Sequence, residues 1–190
     1  MTSNPEKDAL RKHLLDKRDS ISFDLMEIHS NKIFSKLIKT KVISEAKSIG
    51  CYYSIGSEVK THEIINHFLS QNKSVSLPKV IQNSMSFRKI EDLTKLETGE
   101  YDIPEPKDST PVEEEHDVVL VPCVGLDNDG NRIGYGVGFY DKYLEGKDVI
   151  KIALAYSKQI VKTIPTSTND VRMDWIITER DIIKTSGIIT

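Results

Sequence analysis

The run Asp117-Val118-Val119-Leu120-Val121-Pro122 constrains this chain more than any other feature. Its four central residues are apolar without alternation, and three of them are β-branched. A strand with one wet face alternates, whereas one that is apolar throughout is covered on both faces, as in the middle of a parallel sheet. Ser48-Ile49-Gly50-Cys51-Tyr52-Tyr53, Ser74-Val75-Ser76-Leu77-Pro78, Val149 to Ala155 and Trp175-Ile176-Ile177 read as further strands. The second of these is expected to stop at its proline, and the last to be the final strand. Met85 to Ile90 alternates and suits an edge or a hairpin. Between the strands lie helical patterns. Asn4 caps and Pro5 opens a helix that carries Leu10, Leu14 and Leu15 to about Asp19. Ser22 caps a second helix, with Leu25, Met26, Ile28, Ile33, Phe34, Leu37 and Ile38 as its apolar face. Thr61 caps a third, with Ile64, Ile65, Phe68 and Leu69. Short helices are expected within Glu91 to Leu96 and around Tyr140 to Leu144. Gly99 to Pro111 holds three prolines and reads as an extended surface crossing. Strands alternating with helices predict an α/β fold with an open, mostly parallel sheet. A length of 190 residues fits one domain over 1–190.

The charge balance excludes one partner class. With 26 basic and 29 acidic residues the net charge is −3, too even for nucleic acid as a bulk partner. The two cysteines, Cys51 and Cys123, lie far apart in apolar runs, so buried inert thiols are expected rather than a zinc or redox motif. The first residues are polar and offer no apolar signal segment. No run reaches the ~18 apolar residues of a membrane span. A cytoplasmic protein with no membrane partner is expected. The five histidines match no motif, and Glu113-Glu114-Glu115 reads as a solvated face.

The chemistry concentrates after the apolar strand, in residues 121–144, VPCVGLDNDGNRIGYGVGFYDKYL. A turn at Asp127-Asn128-Asp129-Gly130 precedes Arg132. Gly134, Gly136 and Gly138 follow at every second position, and a helix begins. Such glycines let backbone N–H groups converge on a ligand. The helix start adds partial positive charge, and Arg132 adds a fork suited to phosphate oxygens. The result reads as a phosphate cradle beyond the carboxyl end of a central strand, where open α/β sheets bind ligands. The same glycines also suit a plain tight turn. The spacing is neither G-x-x-x-x-G-K-[ST] nor G-x-G-x-x-G, so neither the P-loop nor the dinucleotide fingerprint applies.

Residues 130–141, Gly-Asn-Arg-Ile-Gly-Tyr-Gly-Val-Gly-Phe-Tyr-Asp, resemble the Gly-x-Arg-Leu-Gly-x-Gly-x-Gly-Tyr-Tyr-Asp motif of the 5-formyltetrahydrofolate cyclo-ligases. Lys7-Asp8-Ala9-Leu10-Arg11 resembles that family's N-terminal Lys-x-x-Leu-Arg. Ile103-Pro104-Glu105-Pro106 resembles its Ile-Pro-Glu-Pro crossing, and Met173-Asp174 matches its late Asp. Ile133, Val137, Phe139 and Leu126 depart from the commoner residues, and none of these changes removes a charge.

The resemblance implies an enzyme that uses ATP and Mg²⁺ to close 5-formyltetrahydrofolate into 5,10-methenyltetrahydrofolate, releasing ADP and phosphate. It implies a sheet of the NagB/RpiA/CoA-transferase-like kind, with helices on both faces, and a monomer. Lys7, Asp8, Ala9, Leu10 and Arg11 would bind ATP together with Arg132, Ile133, Gly134, Tyr135, Gly136, Val137, Gly138, Phe139 and Tyr140. Lys7 and Arg132 would be catalytic. Lys7 and Arg11, at i and i+4, share one helix face, which by itself equally suits a solvated basic face. Asp141 and Asp174 would hold Mg²⁺. Tyr53, Glu58 and Tyr135 would contact the folate, although Tyr53 suits the core as well. Two other readings stand beside this one. One is a relative that binds folate or nucleotide without turnover. The other is a phosphosugar-isomerase or CoA-transferase-like enzyme, for which no independent catalytic Glu is marked.

Overall fold

The computed structural model describes residues 4–185. Five α-helices are present: α1 Pro5–Asp19, α2 Phe23–Leu37, α3 Lys41–Glu45, α4 His62–Ser70 and α5 Phe139–Leu144. The strands in the first half are β1 Ser48–Gly50, β2 Ser74–Ile81, β3 Ser84–Ile90, β4 Glu97–Thr98, β5 Pro104–Glu105 and β6 Val112–Glu113. Those in the second half are β7 Val118–Val121, β8 Gly125–Asp127, β9 Arg132–Ile133, β10 Ile150–Leu154, β11 Ile160–Val161, β12 Trp175–Ile177 and β13 Ile182–Lys184. The main sheet has the order β13-β12-β10-β7-β1-β2-β3-β6. Strands β12, β10, β7, β1 and β2 are parallel, and β13, β3 and β6 add antiparallel edges.

The unbroken apolar strand takes the place its sequence demands. β7 lies between β10 and β1, and all four of its residues are fully buried. Alternate side chains feed two cores. Val118 and Leu120 join Ile49, Ile152 and Leu154 under α2, α3 and α4, represented by Ile33, Leu37, Ile43, Ile64 and Phe68. Val119 and Val121 join Ala153, Ala155 and Phe87 against Leu144 of α5. Helices therefore cover both faces. Each such aliphatic side chain stabilises the fold by about 2 kcal/mol.

Asn4 caps α1 as its chemistry suggests, its side-chain oxygen accepting from Glu6 N and Lys7 N. Three expectations are corrected. Pro78 does not end β2, which continues to Ile81 paired with β3. Ser76 O accepts from Cys51 N on the β1 side. Pro78, two residues on, turns its missing N–H toward the same side but beyond the end of β1, where no partner waits. Neither Ser22 nor Thr61 caps through its side chain. The Thr61 hydroxyl instead donates to Tyr52 O at 2.6 Å and accepts from Ser54 N. Trp175–Ile177 is not the last strand, because β13 returns beside it.

The crossing over residues 97–108 is held by β2. Lys79, buried, pairs with Glu97 at 3.0 Å, Asp108 at 3.2 Å and the buried Glu105 at 3.9 Å. Burial pushes the Glu105 carboxyl above its ordinary value, and the Val80 N–H and Lys79 oppose that. Lys79→Met leaves Glu105 buried without its cation. A destabilisation of about 3 kcal/mol is expected in thermal melts; an unchanged melting temperature would show that the crossing is held by its strands alone.

Candidate active site at the glycine-rich loop

Beyond β7 the chain makes a small second sheet, β11-β8-β9. Asp127 organises its hairpin. Its buried carboxylate accepts from Asp129 N, Asn131 N, Asn131 Nδ2 and Ile164 N, at 2.9–3.1 Å. The hairpin delivers Arg132 on β9. Arg132 is 9% exposed. Its Nη1 donates to Pro122 O at 3.2 Å and its Nη2 to Asp141 Oδ2 at 2.9 Å. Its Nε is buried with no partner. Tyr140 lies beside it, the guanidinium carbon 5.9 Å from the ring centre, and its buried hydroxyl is likewise unpartnered. A buried N–H without an acceptor costs about 1–3 kcal/mol, so the site holds an unfilled demand for an anion's oxygen.

The loop begins against this guanidinium, where a Cβ on Gly134 would lie 2.7 Å from Arg132 Nη1. Gly136 and Gly138 have φ of +103° and +78°, the region where a Cβ is disfavoured. Tyr135, Gly136 and Val137 are exposed at its crest, and Ile133 turns inward to pack with Leu14, Val124 and Ile164. Phe139 stands against Tyr101, ring centres 6.2 Å apart, which brings the proline-rich crossing to the loop.

Helix α1 lies along the loop. Arg11 Nε donates to Gly134 O at 2.8 Å, and its guanidinium also pairs with Asp8. Lys7 pairs with Asp170. Leu10 packs into the cluster beneath, while Ala9 faces outward. The Lys7–Arg11 face is thus not a solvated surface: Arg11 is seated on the loop and Lys7 on the Asp170 segment.

The turn after β1 meets the loop from the other side. Glu58, 5% exposed, accepts from Ile55 N at 2.8 Å and from the Tyr135 hydroxyl at 2.9 Å. Burial pushes its carboxyl above the ordinary value; the Ile55 N–H, the Tyr135 hydroxyl, Arg18 and Lys60 oppose that shift. Tyr53, half-buried, stands edge-on to His62 with ring centres 4.2 Å apart. It also packs against the core.

The two acidic residues expected at a metal are engaged by different partners. Asp141 accepts from Arg132 and from Val171 N at 3.1 Å. Asp174 sits at the start of β12, whose register sets it beside Lys151. There it accepts from Lys151 N at 2.8 Å and pairs with Lys151 Nζ at 3.0 Å. No group of three or more His, Cys, Asp or Glu residues is placed to hold a metal among the described residues. A hard cation that takes one carboxylate and fills its other positions with phosphate oxygens and water needs no such cage. Asp141, beside the cradle and 24% exposed at its side chain, suits that role.

Three residues central to this geometry escape the sequence motifs. Arg18 lies seven positions after Arg11, on the same helix face, and that spacing is its signal. Asp127 is visible only as a turn residue. Asp170 carries no local signal; its place comes from the fold.

The family model of the 5-formyltetrahydrofolate cyclo-ligase family matches residues 3–179. A probable 5-formyltetrahydrofolate cyclo-ligase of Caenorhabditis elegans is 29% identical, over 93% of this chain and 94% of that protein. The 5-formyltetrahydrofolate cyclo-ligase of Haemophilus influenzae is 34% identical, over 67% of this chain and 73% of that one. Two solved structures share the fold. The 5,10-methenyltetrahydrofolate synthetase of Aquifex aeolicus gives a TM-score of 0.87 at 29% identity, covering 97% of this chain and 95% of that one. The enzyme of the same name from Mycoplasma pneumoniae gives 0.74 at 30% identity, covering 92% and 99%.

Proposed function

The chain belongs to the 5-formyltetrahydrofolate cyclo-ligase family, and on that premise we propose how its own residues close the ring. ATP lies on the Arg132–Tyr140 loop with Lys7 and Arg11 at its edge. The folate lies on the Tyr53–Glu58 turn, with Tyr135 between the two. The observation that carries this is Arg132: a buried, charged guanidinium with an unpartnered Nε, set so close to the glycine-rich loop that a Cβ on Gly134 would lie 2.7 Å from its Nη1.

The chemical problem is an amide oxygen that leaves poorly. The formyl oxygen attacks the γ-phosphorus, the bond to the β-bridging oxygen breaks, and ADP departs. N10 then attacks the formyl carbon. The C–O bond breaks, phosphate leaves with its electron pair, and N10 gives up its proton. Arg132 and Lys7 stabilise the charge that spreads over the transferring phosphoryl oxygens. Arg11, fixed to Gly134, holds the loop's backbone in place. Glu58 accepts from the pterin's amino and N–H groups, and Tyr53 offers an aromatic surface. Asp141 would hold Mg²⁺, which would supply charge neutralisation at the phosphates. The reading takes residues 1–190 as one domain, a monomer working in the cytoplasm. Among the described residues no helix is long and apolar enough to cross a membrane.

The test is absorbance of the methenyl product after mixing the protein with 5-formyltetrahydrofolate, with and without Mg-ATP. A rise that needs Mg-ATP is expected. No rise, with folate still bound in calorimetry, would make this chain a binder without turnover. The metal assignment is tested separately. Asp141→Asn is expected to raise the Mg²⁺ concentration for half-maximal rate about tenfold, and Asp174→Asn to leave it nearly unchanged. The reverse pattern would move the metal to Asp174.

A further inference from the structure

Arg18 is a buried cation without a carboxylate of its own. It is 4% exposed, and among the described residues no acidic group lies within ion-pair distance of it. Its three nitrogens are nonetheless all used. Nε donates to Ser57 Oγ at 2.9 Å, Nη1 to Cys123 O at 3.2 Å and Nη2 to the Tyr135 hydroxyl at 2.7 Å. The Tyr135 hydroxyl in turn donates a hydrogen bond to Glu58 Oε1 at 2.9 Å. A charge taken this far from water is retained only where something compensates it. Two carboxylates compensate it, each one hydroxyl away: Asp19, to which Ser57 Oγ donates, and the buried Glu58 behind Tyr135.

We propose that Arg18 is a positioning residue for folate binding, which aims the Glu58 carboxylate at the pterin through the Tyr135 hydroxyl and fixes the turn that carries it through Ser57. The inference rests on the reading that Glu58 contacts the folate. Before the folate arrives, the Tyr135 hydroxyl occupies the Glu58 oxygen that the pterin's donors need. Tyr135 is half in solvent on a glycine-flanked loop, so it can yield that oxygen, keep its bond to Arg18 and leave the carboxylate facing a cation. Of the other titratable groups that face Glu58, Tyr52, Tyr140 and Cys123 are held neutral by burial. Lys60 donates to Gly56 O on the same turn. Arg18 is the cation that reaches Glu58 from a different element.

The sign of the pH effect follows. Burial raises the Glu58 carboxyl and Arg18 opposes it. Without Arg18 the carboxylate takes up its proton at a higher pH, and a neutral acid no longer accepts the pterin's donors. Arg18→Gln is expected to raise the folate KM about tenfold, with kcat and the ATP KM within about twofold. The acidic limb of kcat/KM for folate is expected to move up by about one pH unit. Arg18→Lys, which keeps the charge but not the fork, restores the limb and part of the KM. Tyr135→Phe removes the bridging hydroxyl from an exposed position; it shifts the limb in the same direction even if Arg18→Gln fails to fold. The proposal is overturned if the limb stays put in the variants that fold, or if Arg18→Gln raises both KM values equally. Glu58→Gln separates the two levels. A raised folate KM there with no effect at Arg18 sinks this inference alone. No effect at Glu58 sinks the folate reading and this inference with it.

Discussion

Arg132→Ala is expected to lower kcat about 10³-fold, the size of effect seen when a preorganised donor to developing charge is removed. That corresponds to about 4 kcal/mol of transition-state stabilisation. The fold should survive. The loss exposes no buried acid, because Asp141, the ion-pair partner, is partly open to water and keeps the Val171 N–H. The Pro122 carbonyl loses one donor, a cost of about 1 kcal/mol. Arg132→Lys keeps the charge without the planar fork and should recover part of the rate. Methenyl absorbance reads the activity, and circular dichroism melting reads the fold. A folded alanine variant turning over within a few-fold of the parent would remove Arg132 from the phosphoryl chemistry.

The second large effect is structural. Gly130 has a φ of +87°, and a Cβ there would lie 2.4 Å from Met173 O and 3.0 Å from Thr185 Cγ2. Gly130 O also accepts from Met173 N at 2.9 Å. Gly130→Val must therefore adopt a strained backbone, at about 1–2 kcal/mol, and push back a carbonyl, at about 1–3 kcal/mol. A loss of about 4 kcal/mol is expected, read as a fall of roughly 8–16 °C in Tm. The damage should spread to Lys7 and Asp141, because the segment that Met173 anchors presents Asp170 to Lys7 and Val171 N to Asp141. A valine variant that melted with the parent would mean that this segment shifts freely.

These two residues mark how far the sequence could be read. Arg132 and the glycines beside it are legible because they occur together, in order, after a strand whose apolar run has one good interpretation. The helices are legible for the same kind of reason: Leu10 and Leu14, or Ile64, Ile65 and Phe68, fall at helical spacing on one face. β8, β9 and β11 have two or three residues each, too few to show a period, so the small sheet that delivers Arg132 is invisible until the chain is folded. Pro78 misleads because its effect depends on where the neighbouring strand stops. Asp174 follows a motif, yet its partner is chosen by the register of β10 and β12, which no local pattern encodes. Arg18 shows the opposite case. The interval Lys7, Arg11, Arg18 places three cations on one face of α1, and that spacing was available before any coordinates.

That interval has a consequence for how the two half-sites can change. α1 is a rod of about 22 Å, touching the glycine-rich loop through Arg11, the Asp170 segment through Lys7 and the turn after β1 through Arg18. A rigid lever moves all its contacts at once. A displacement of α1 that favours one ligand is felt at the other's contacts, and any coupling between the two affinities is reciprocal. Substitutions that tilt or slide this helix cannot retune the preference for one ligand alone. Independent adjustment is left to substitutions that leave the helix where it lies, as at Arg18, or to side chains outside it, such as Phe139 beside the glycine-rich loop and Tyr53 after β1.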